Sequence, residues 1–301
     1  MKRSINIINI IFICIINSII LKKIKKKKIN KWKSCIDSLT HFKMEIFNIS
    51  HLLYYYYDKN RYNGTFLLKK VNISDRNFQS EKINRVIYCF WTGENKLTPN
   101  RVRGLKSLQK NSGVKVELIT PKNLSKYIKP DDPLPEGYKY LSLIHRADYL
   151  RTYFMHHYGG GYADIKTFPY SWKMAFDKLE NSNAYAIGYP EISSLGVAQV
   201  KNKNLRNDLN THWTLLLSNC AYIFRPYTKF TKAWLEEAKR RIKINLNKLK
   251  NHPAKNPFGK NKDYPIKWTY ILGEIFHPLC LKYHDRILQD SSLKFYTKNY
   301  R

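Results

Sequence analysis

The sequence predicts an α/β fold with a mostly parallel central sheet, preceded by an N-terminal hydrophobic helix. Val86-Ile87-Tyr88-Cys89-Phe90-Trp91 is a short apolar run rich in β-formers that stops at Thr92-Gly93, the pattern of a buried strand and turn. Val102, Leu105 and Leu108 recur at helical spacing within Arg101 to Asn111. Val114 to Ile119 then alternates as a second strand. Strand, helix and strand joined by short links open a layered domain with a largely parallel sheet. Ligands of such sheets gather at the carboxyl ends of the strands, where Trp91 and Thr92 fall.

Ahead of this domain, Ser4 to Leu21 is a run of 18 uncharged residues, mostly Ile. As a helix it spans about 27 Å, close to the hydrocarbon thickness of a bilayer. Asn6, Asn9 and Asn17 fall near one helical stripe, which a partner or the interface can take. Eight lysines between Lys22 and Lys33 follow, against Lys2 and Arg3 before. The positive-inside bias keeps the long body in the cytoplasm, so residues 1–33 read as a membrane anchor with a basic collar. An interfacial helix and a signal peptide compete with this reading. The apolar run exceeds a usual signal core, and no small-x-small site follows it. On a eukaryotic or viral secretory route the body faces a Golgi-type lumen instead. Residues 34–82 show little periodicity and read as an accessory region, with the main domain over 83–301.

Lys and Arg number 54 against 22 Asp and Glu, a net charge of +32. Residues 1–33 hold ten of the basic residues and no acid, so the body keeps 44 basic against 22 acidic residues and a surplus of +22. That surplus suits an anionic partner without choosing among nucleic acid, lipid and nucleotide phosphates. A hydrophobic share of 43% excludes a disordered chain. A nucleic-acid-binding protein is the rival from another class, but no nucleic-acid motif accompanies the charge and no nucleic acid is expected as a partner. Lys, Asn, Ile and Tyr are abundant together, which points to compositional background. The five cysteines are odd in number and lack a CxxC pair, so neither a zinc site nor a disulfide framework is predicted. HExxH, P-loop and nucleophile-elbow patterns are absent from the sequence.

Tyr138 to Tyr158 is predicted as the next helix, stopped by Gly159-Gly160-Gly161, with Tyr162 to Lys166 as a short strand. Leu235, Ala238, Ile242, Leu246 and Leu249 make a later apolar helical stripe beside a solvated basic face. Asp148 and Arg151, three apart, emerge on one side of the first of these helices. Asp164 and Lys166 share one face of the strand, with Ile165 turned to the core. Two carboxylates, a guanidinium and an ammonium around glycines that permit close approach suit ribose hydroxyls and a diphosphate.

The run from His145 through Asp148, Arg151, Gly159-Gly160-Gly161 and Asp164-Ile165-Lys166 resembles the signature of DXD-type sugar-nucleotide glycosyltransferases. It is most similar to the capsular polysaccharide synthesis proteins. Phe90-Trp91-Thr92-Gly93, Asn100-Arg101, Ser218-Asn219 and Tyr264-Pro265-Ile266 extend the resemblance over roughly 83–290. It implies a GT-A-like, Rossmann-like domain that moves a sugar from a nucleoside diphosphate sugar to a glycan or glycolipid acceptor. A catalytically silent sugar-nucleotide binder of the same fold is the alternative.

The resemblance also implies that Trp91, Thr92, Asp148, Arg151, Gly160, Gly161 and Asn219 contact the donor. Asp164, Lys166 and Arg151 take catalytic roles, and Asp164 is the first carboxylate of the DXD-type motif. Lys166 departs from members with a second acidic residue there. Either its ammonium neutralises the diphosphate, or Mg²⁺ or Mn²⁺ is held by Asp164 with diphosphate, water and Glu274 or His277. Glu191, Asp208 and Glu274 are the carboxylates available to take the acceptor proton, and spacing does not select one.

Overall fold

Six strands form one sheet in the computed structural model, which describes residues 55–74 and 76–296. The predicted anchor, its collar and residues 34–54 lie outside the described residues. In chain order the elements are β1 (Val86–Phe90), α1 (Pro99–Asn111), β2 (Lys115–Ile119), α2 (Leu143–His157), β3 (Gly160–Ala163), α3 (Lys173–Glu180) and β4 (Ala186–Pro190). They continue with α4 (Lys203–Thr211), β5 (Leu217–Phe224), α5 (Lys229–Ile244), α6 (Leu246–Asn251), α7 (Gly273–Lys282) and β6 (Ile287–Gln289).

The strand order is β2-β1-β3-β5-β4-β6. Every pairing is parallel except those of β5, which runs antiparallel to both β3 and β4. The mostly parallel sheet expected from the sequence is therefore present, with one reversed strand inside it. The carboxyl ends of β1, β3 and β4 consequently share an edge with the amino end of β5. This geometry builds the site.

Alternation along the strands separates two apolar layers. Tyr88 and Phe90 of β1 pack with Tyr149, Phe154, Phe224, Trp234 and Phe276 on the face covered by α2, α5 and α7. Ile87 and Cys89 turn to the other face, where Trp172, Phe176, Ile187 and Ile223 are buried. From residue 55 on, the stretch read as an accessory region contributes to the first layer, with Tyr62, Leu67 and Phe78 buried in it.

The predicted helix at Tyr138 is shorter than expected. A 3-10 turn occupies Glu136–Tyr140, Leu141 is extended, and α2 begins only after Ser142, whose hydroxyl accepts the His145 N–H. The cap satisfies an N–H that has no intrahelical partner, so the helix starts there. Its end follows the expectation, with Gly159 at φ +61°. The later stripe is split at Asn245 into α5 and α6. Leu235, Ala238, Ile242 and Leu249 are buried as predicted, but so are Arg241 of the basic face and its partner Glu237. Among the described residues, no helix is long and apolar enough to cross a membrane.

Candidate functional site

α2 and β3 bring Asp148, Arg151, Asp164 and Lys166 together at the carboxyl end of β3. Arg151 is the hub. Its guanidinium lies 3.4 Å from Asp148 Oδ1 and 3.3 Å from Asp164 Oδ1, and its Nη1 donates to the Asn219 carbonyl at 2.9 Å. The Tyr162 ring sits beneath it, with the guanidinium carbon 4.4 Å from the centroid. Asp164 lies just past the end of β3, its backbone N–H donating to the Cys220 carbonyl. Lys166 Nζ is 2.9 Å from Asp164 Oδ2 and 3.4 Å from Cys220 Sγ, and 3.9 Å above the Phe295 ring. A bridge between Thr167 and Tyr296 holds that C-terminal segment in place.

The two carboxylates differ in character although both are buried among the same cations. Burial pushes Asp148 up to about 7, with Arg151 opposing and Asp164 reinforcing the rise. Burial also acts to raise Asp164, but Arg151, Lys166 and the Tyr162 hydroxyl, which donates to Oδ1 at 2.6 Å, bring it down to about 2. Burial acts to lower the Lys166 ammonium, and Asp164 overrides it, so Lys166 is raised and stays charged. Near neutrality one carboxyl is thus partly protonated and the other is ionised.

β1 and α1 supply the neighbouring wall. The Thr92 hydroxyl donates to the Leu143 carbonyl at 2.6 Å, tying the β1 exit to the start of α2. Trp91 donates its indole N–H to the Asn95 carbonyl at 2.6 Å and is half-buried. Arg101 donates to the Ile165 carbonyl at 2.7 Å. A Cβ on Gly104 would lie 3.0 Å from the Lys166 carbonyl carbon, so this glycine lets α1 approach the Asp164–Lys166 segment.

Gly160 and Gly161 are placed elsewhere. They begin β3, about 10–13 Å before Asp164 at the rise of a strand, and are fully buried. A Cβ on Gly160 would lie 2.6 Å from the Val86 carbonyl oxygen, and one on Gly161 would meet Ile87 and Trp172 at 3.0 Å. Their lack of a side chain admits the neighbouring strand and helix, in place of the donor expected there.

Asn219 reaches the site through its backbone, while its amide lies 2.9 Å from His277 Nε2. His277 accepts the Ala198 N–H on Nδ1, and its Nε2 lies 3.3 Å from Glu191 Oε1. Glu274 is held apart from this group by the Thr269 hydroxyl at 3.1 Å and Arg241 at 3.6 Å.

These partners decide whether a divalent cation fits. Both Asp164 oxygens face cations, His277 has a neighbour at each ring nitrogen, and Glu274 is paired with Arg241. Among the described residues, no three His, Cys, Asp or Glu side chains converge to hold a metal ion. The set Asp164, Glu274 and His277 does not fit a resident Mg²⁺ or Mn²⁺.

Tyr162, Cys220 and Phe295 are members of the site that sequence reasoning missed. Tyr162 stands two residues before Asp164, on the same strand face, and could have been found by that alternation. Cys220 arrives through strand pairing and Phe295 through the isolated Thr167–Tyr296 bridge, and neither has a local signal.

Curated proteins and solved structures give no match to this chain. Comparison with protein families does give one, over residues 41–204, to the capsular polysaccharide synthesis proteins. The matched stretch contains Trp91, Asp148, Arg151, Asp164, Lys166 and Glu191, and stops short of Asn219 and His277. It covers more than half of the chain, which therefore belongs to the capsular polysaccharide synthesis protein family.

Proposed function

We propose that this chain is a glycosyltransferase that moves a sugar from a nucleoside diphosphate sugar to a hydroxyl of a glycan or glycolipid acceptor. Family membership supports a role in capsular polysaccharide synthesis. One observation carries the finer reading: Asp148, Arg151, Asp164 and Lys166 converge at the carboxyl ends of parallel strands, where such sheets bind ligands.

The chemistry follows from the charges. With Asp148 protonated, two cations face one carboxylate, and the site carries a surplus positive charge suited to a diphosphate. Arg151 offers planar paired donors and Lys166 a point charge. As the bond from the sugar C1 to the diphosphate breaks, these cations stabilise the charge that develops on the leaving oxygen. They are fixed before the reaction by Asp164, Tyr162 and the Asn219 carbonyl, so little reorganisation accompanies the step. Protonated Asp148 can donate to a sugar hydroxyl or phosphate oxygen. In this reading Lys166 and Arg151 do the work for which relatives with a second acidic residue use a metal. The anchor predicted at residues 1–33 would hold the reaction at a membrane surface.

A donor screen with and without EDTA tests the proposal. Release of nucleoside diphosphate from at least one donor is expected, unchanged by EDTA. Asp148→Leu, which removes the donor at similar size, and Asp164→Asn, which removes the carboxylate that holds Arg151 and Lys166, should lose nucleotide affinity, and unchanged binding in both would sink the site assignment. A silent member of the family would keep that affinity without turnover.

A further inference from the structure

The reading above places the donor and leaves the acceptor without a partner. We infer that Glu191, steered by His277, receives the acceptor hydroxyl and takes its proton. The inference rests on the transfer reading and supplies its second substrate subsite.

Of the three carboxylates the sequence offers, two are committed elsewhere. Asp208 is held by Arg61 through Nε at 3.1 Å and Nη2 at 2.9 Å, and by the Tyr62 hydroxyl at 2.9 Å. That pairing ties α4 to the segment before β1. Glu274 is paired with Arg241 and Thr269 at the start of α7. Glu191 is different. Its residue is 8% exposed, its Oε1 lies 3.3 Å from His277 Nε2, and Oε2 accepts no hydrogen bond among the described residues. That oxygen is not among the buried polar atoms left without a partner, so it opens to solvent, where a substrate hydroxyl can take the place of water.

The sheet places this oxygen correctly. Glu191 directly follows β4, so it leaves the sheet at the same edge as Asp164, with only β5 between them. Two strand spacings, about 10 Å, separate β3 from β4, and Asp164 and Glu191 bond to β5 at different points, the Cys220 and Leu216 carbonyls, so the two residues stand apart by at least the width of a sugar ring. A single ring nitrogen, His277 Nε2, lies between Glu191 and the Asn219 amide, and the Asn219 carbonyl holds Arg151. The acceptor carboxylate and the donor guanidinium are thus positioned by one chain of contacts. A Cβ on Gly196 would lie 2.6 Å from Oε2, so the loop after β4 closes tightly around the carboxylate. That loop presents Ile192 and Leu195 to solvent, 52% and 96% exposed, beside Glu191, an apolar surface for the face of a sugar ring.

In the step, the acceptor oxygen forms a bond to the sugar C1 while the C1 bond to the diphosphate oxygen breaks. The bonding pair leaves on the diphosphate, beside Arg151 and Lys166, and the acceptor proton passes to Glu191 Oε2. Direct displacement of the diphosphate by the acceptor oxygen inverts the anomeric centre.

The test uses the full chain with UDP-glucose, UDP-galactose, UDP-N-acetylglucosamine and GDP-mannose, water serving as acceptor. Nucleoside diphosphate release is followed, UDP and GDP affinity is measured by calorimetry, and proton NMR reads the anomer first released. Glu191→Gln keeps the size of the side chain and should slow release at least about 100-fold, the scale of a lost general base. Its nucleotide affinity should stay within about twofold, since the base side contributes little to donor binding. Glu191→Asp should recover part of the rate. Unchanged release in Glu191→Gln, loss of its nucleotide affinity, or retention at the anomeric centre each overturns the inference. Wild-type chain that binds nucleotide without releasing it also overturns Glu191 as proton acceptor, leaving the donor site standing. Wild-type chain that binds neither nucleotide overturns the transfer reading first.

Discussion

Each end of the sheet holds a buried arginine, and the two are used in opposite ways. Arg225 follows β5, at the edge away from Asp164. It donates to the carbonyls of Glu81, Leu179, Glu180, Ser182 and Ala184 at 2.6–3.2 Å. Arg151, at the other edge, donates to one carbonyl and faces two carboxylates at 3.3–3.4 Å, and its Nε has no hydrogen-bond partner among the described residues. A guanidinium saturated by backbone is a clamp that fixes loops in place. One surrounded by charge, with a donor to spare, can exchange partners when an anionic ligand arrives. Saturation, more than burial, separates scaffold from site here.

The contrast breaks if both arginines answer alike to substitution. Arg225→Ala orphans five carbonyls, and chemical denaturation should show a loss of about 5 kcal/mol, at about 1 kcal/mol for each carbonyl left unpaired. Arg151→Lys should cost nucleotide affinity about 100-fold, or about 2.7 kcal/mol, measured by calorimetry, with a smaller loss of stability than Arg225→Ala. Equal losses of stability would erase the distinction.

Gly160→Ala sharpens the same comparison from the scaffold side. Its φ of +78° and the Val86 carbonyl leave no place for a methyl group. It should lose about 2 kcal/mol of stability and leave nucleotide affinity intact.

The smallest effect is the dependence on pH between about 6 and 8. Asp148 is raised from 3.8 to about 7, so between those values the folded chain holds a proton that the unfolded chain has released. Stability therefore falls as pH rises through that window and levels off above about 7, the last part of the loss being about 1.4 kcal/mol between pH 6 and 8. Asp148→Asn should lose this slope in thermal unfolding. Asp164, lowered to about 2, acts the other way and costs stability as pH falls below about 4.

The sequence made the strand–helix–strand opening legible because burial leaves a periodic trace, and β1, α1 and β2 fall within two residues of their predicted bounds. The grouping of Asp148, Arg151, Asp164 and Lys166 was legible for a local reason: all four lie on one helix and the strand end that follows it. Gly160 and Gly161 were read for the right property and the wrong neighbour, since close approach by a strand and by a ligand leave the same residue type. The start of α2 was missed because Ser142 overrides the apolar run before it. Glu191 with His277, and Cys220 with Lys166, could not be read locally. They meet only through the reversed strand β5 and α7, and sequence spacing carries no record of that pairing.

Phe295, stacked on the Lys166 ammonium, gives the site an unusual relation to the chain that builds it. Its wall is assembled from Trp91 near the start of the domain to a ring near the end of the described residues. No fragment lacking either end of that span contains the whole site. Capture on an immobilised nucleoside diphosphate would therefore select completely folded molecules from truncated or misfolded ones, and serve as a direct assay of foldedness during purification.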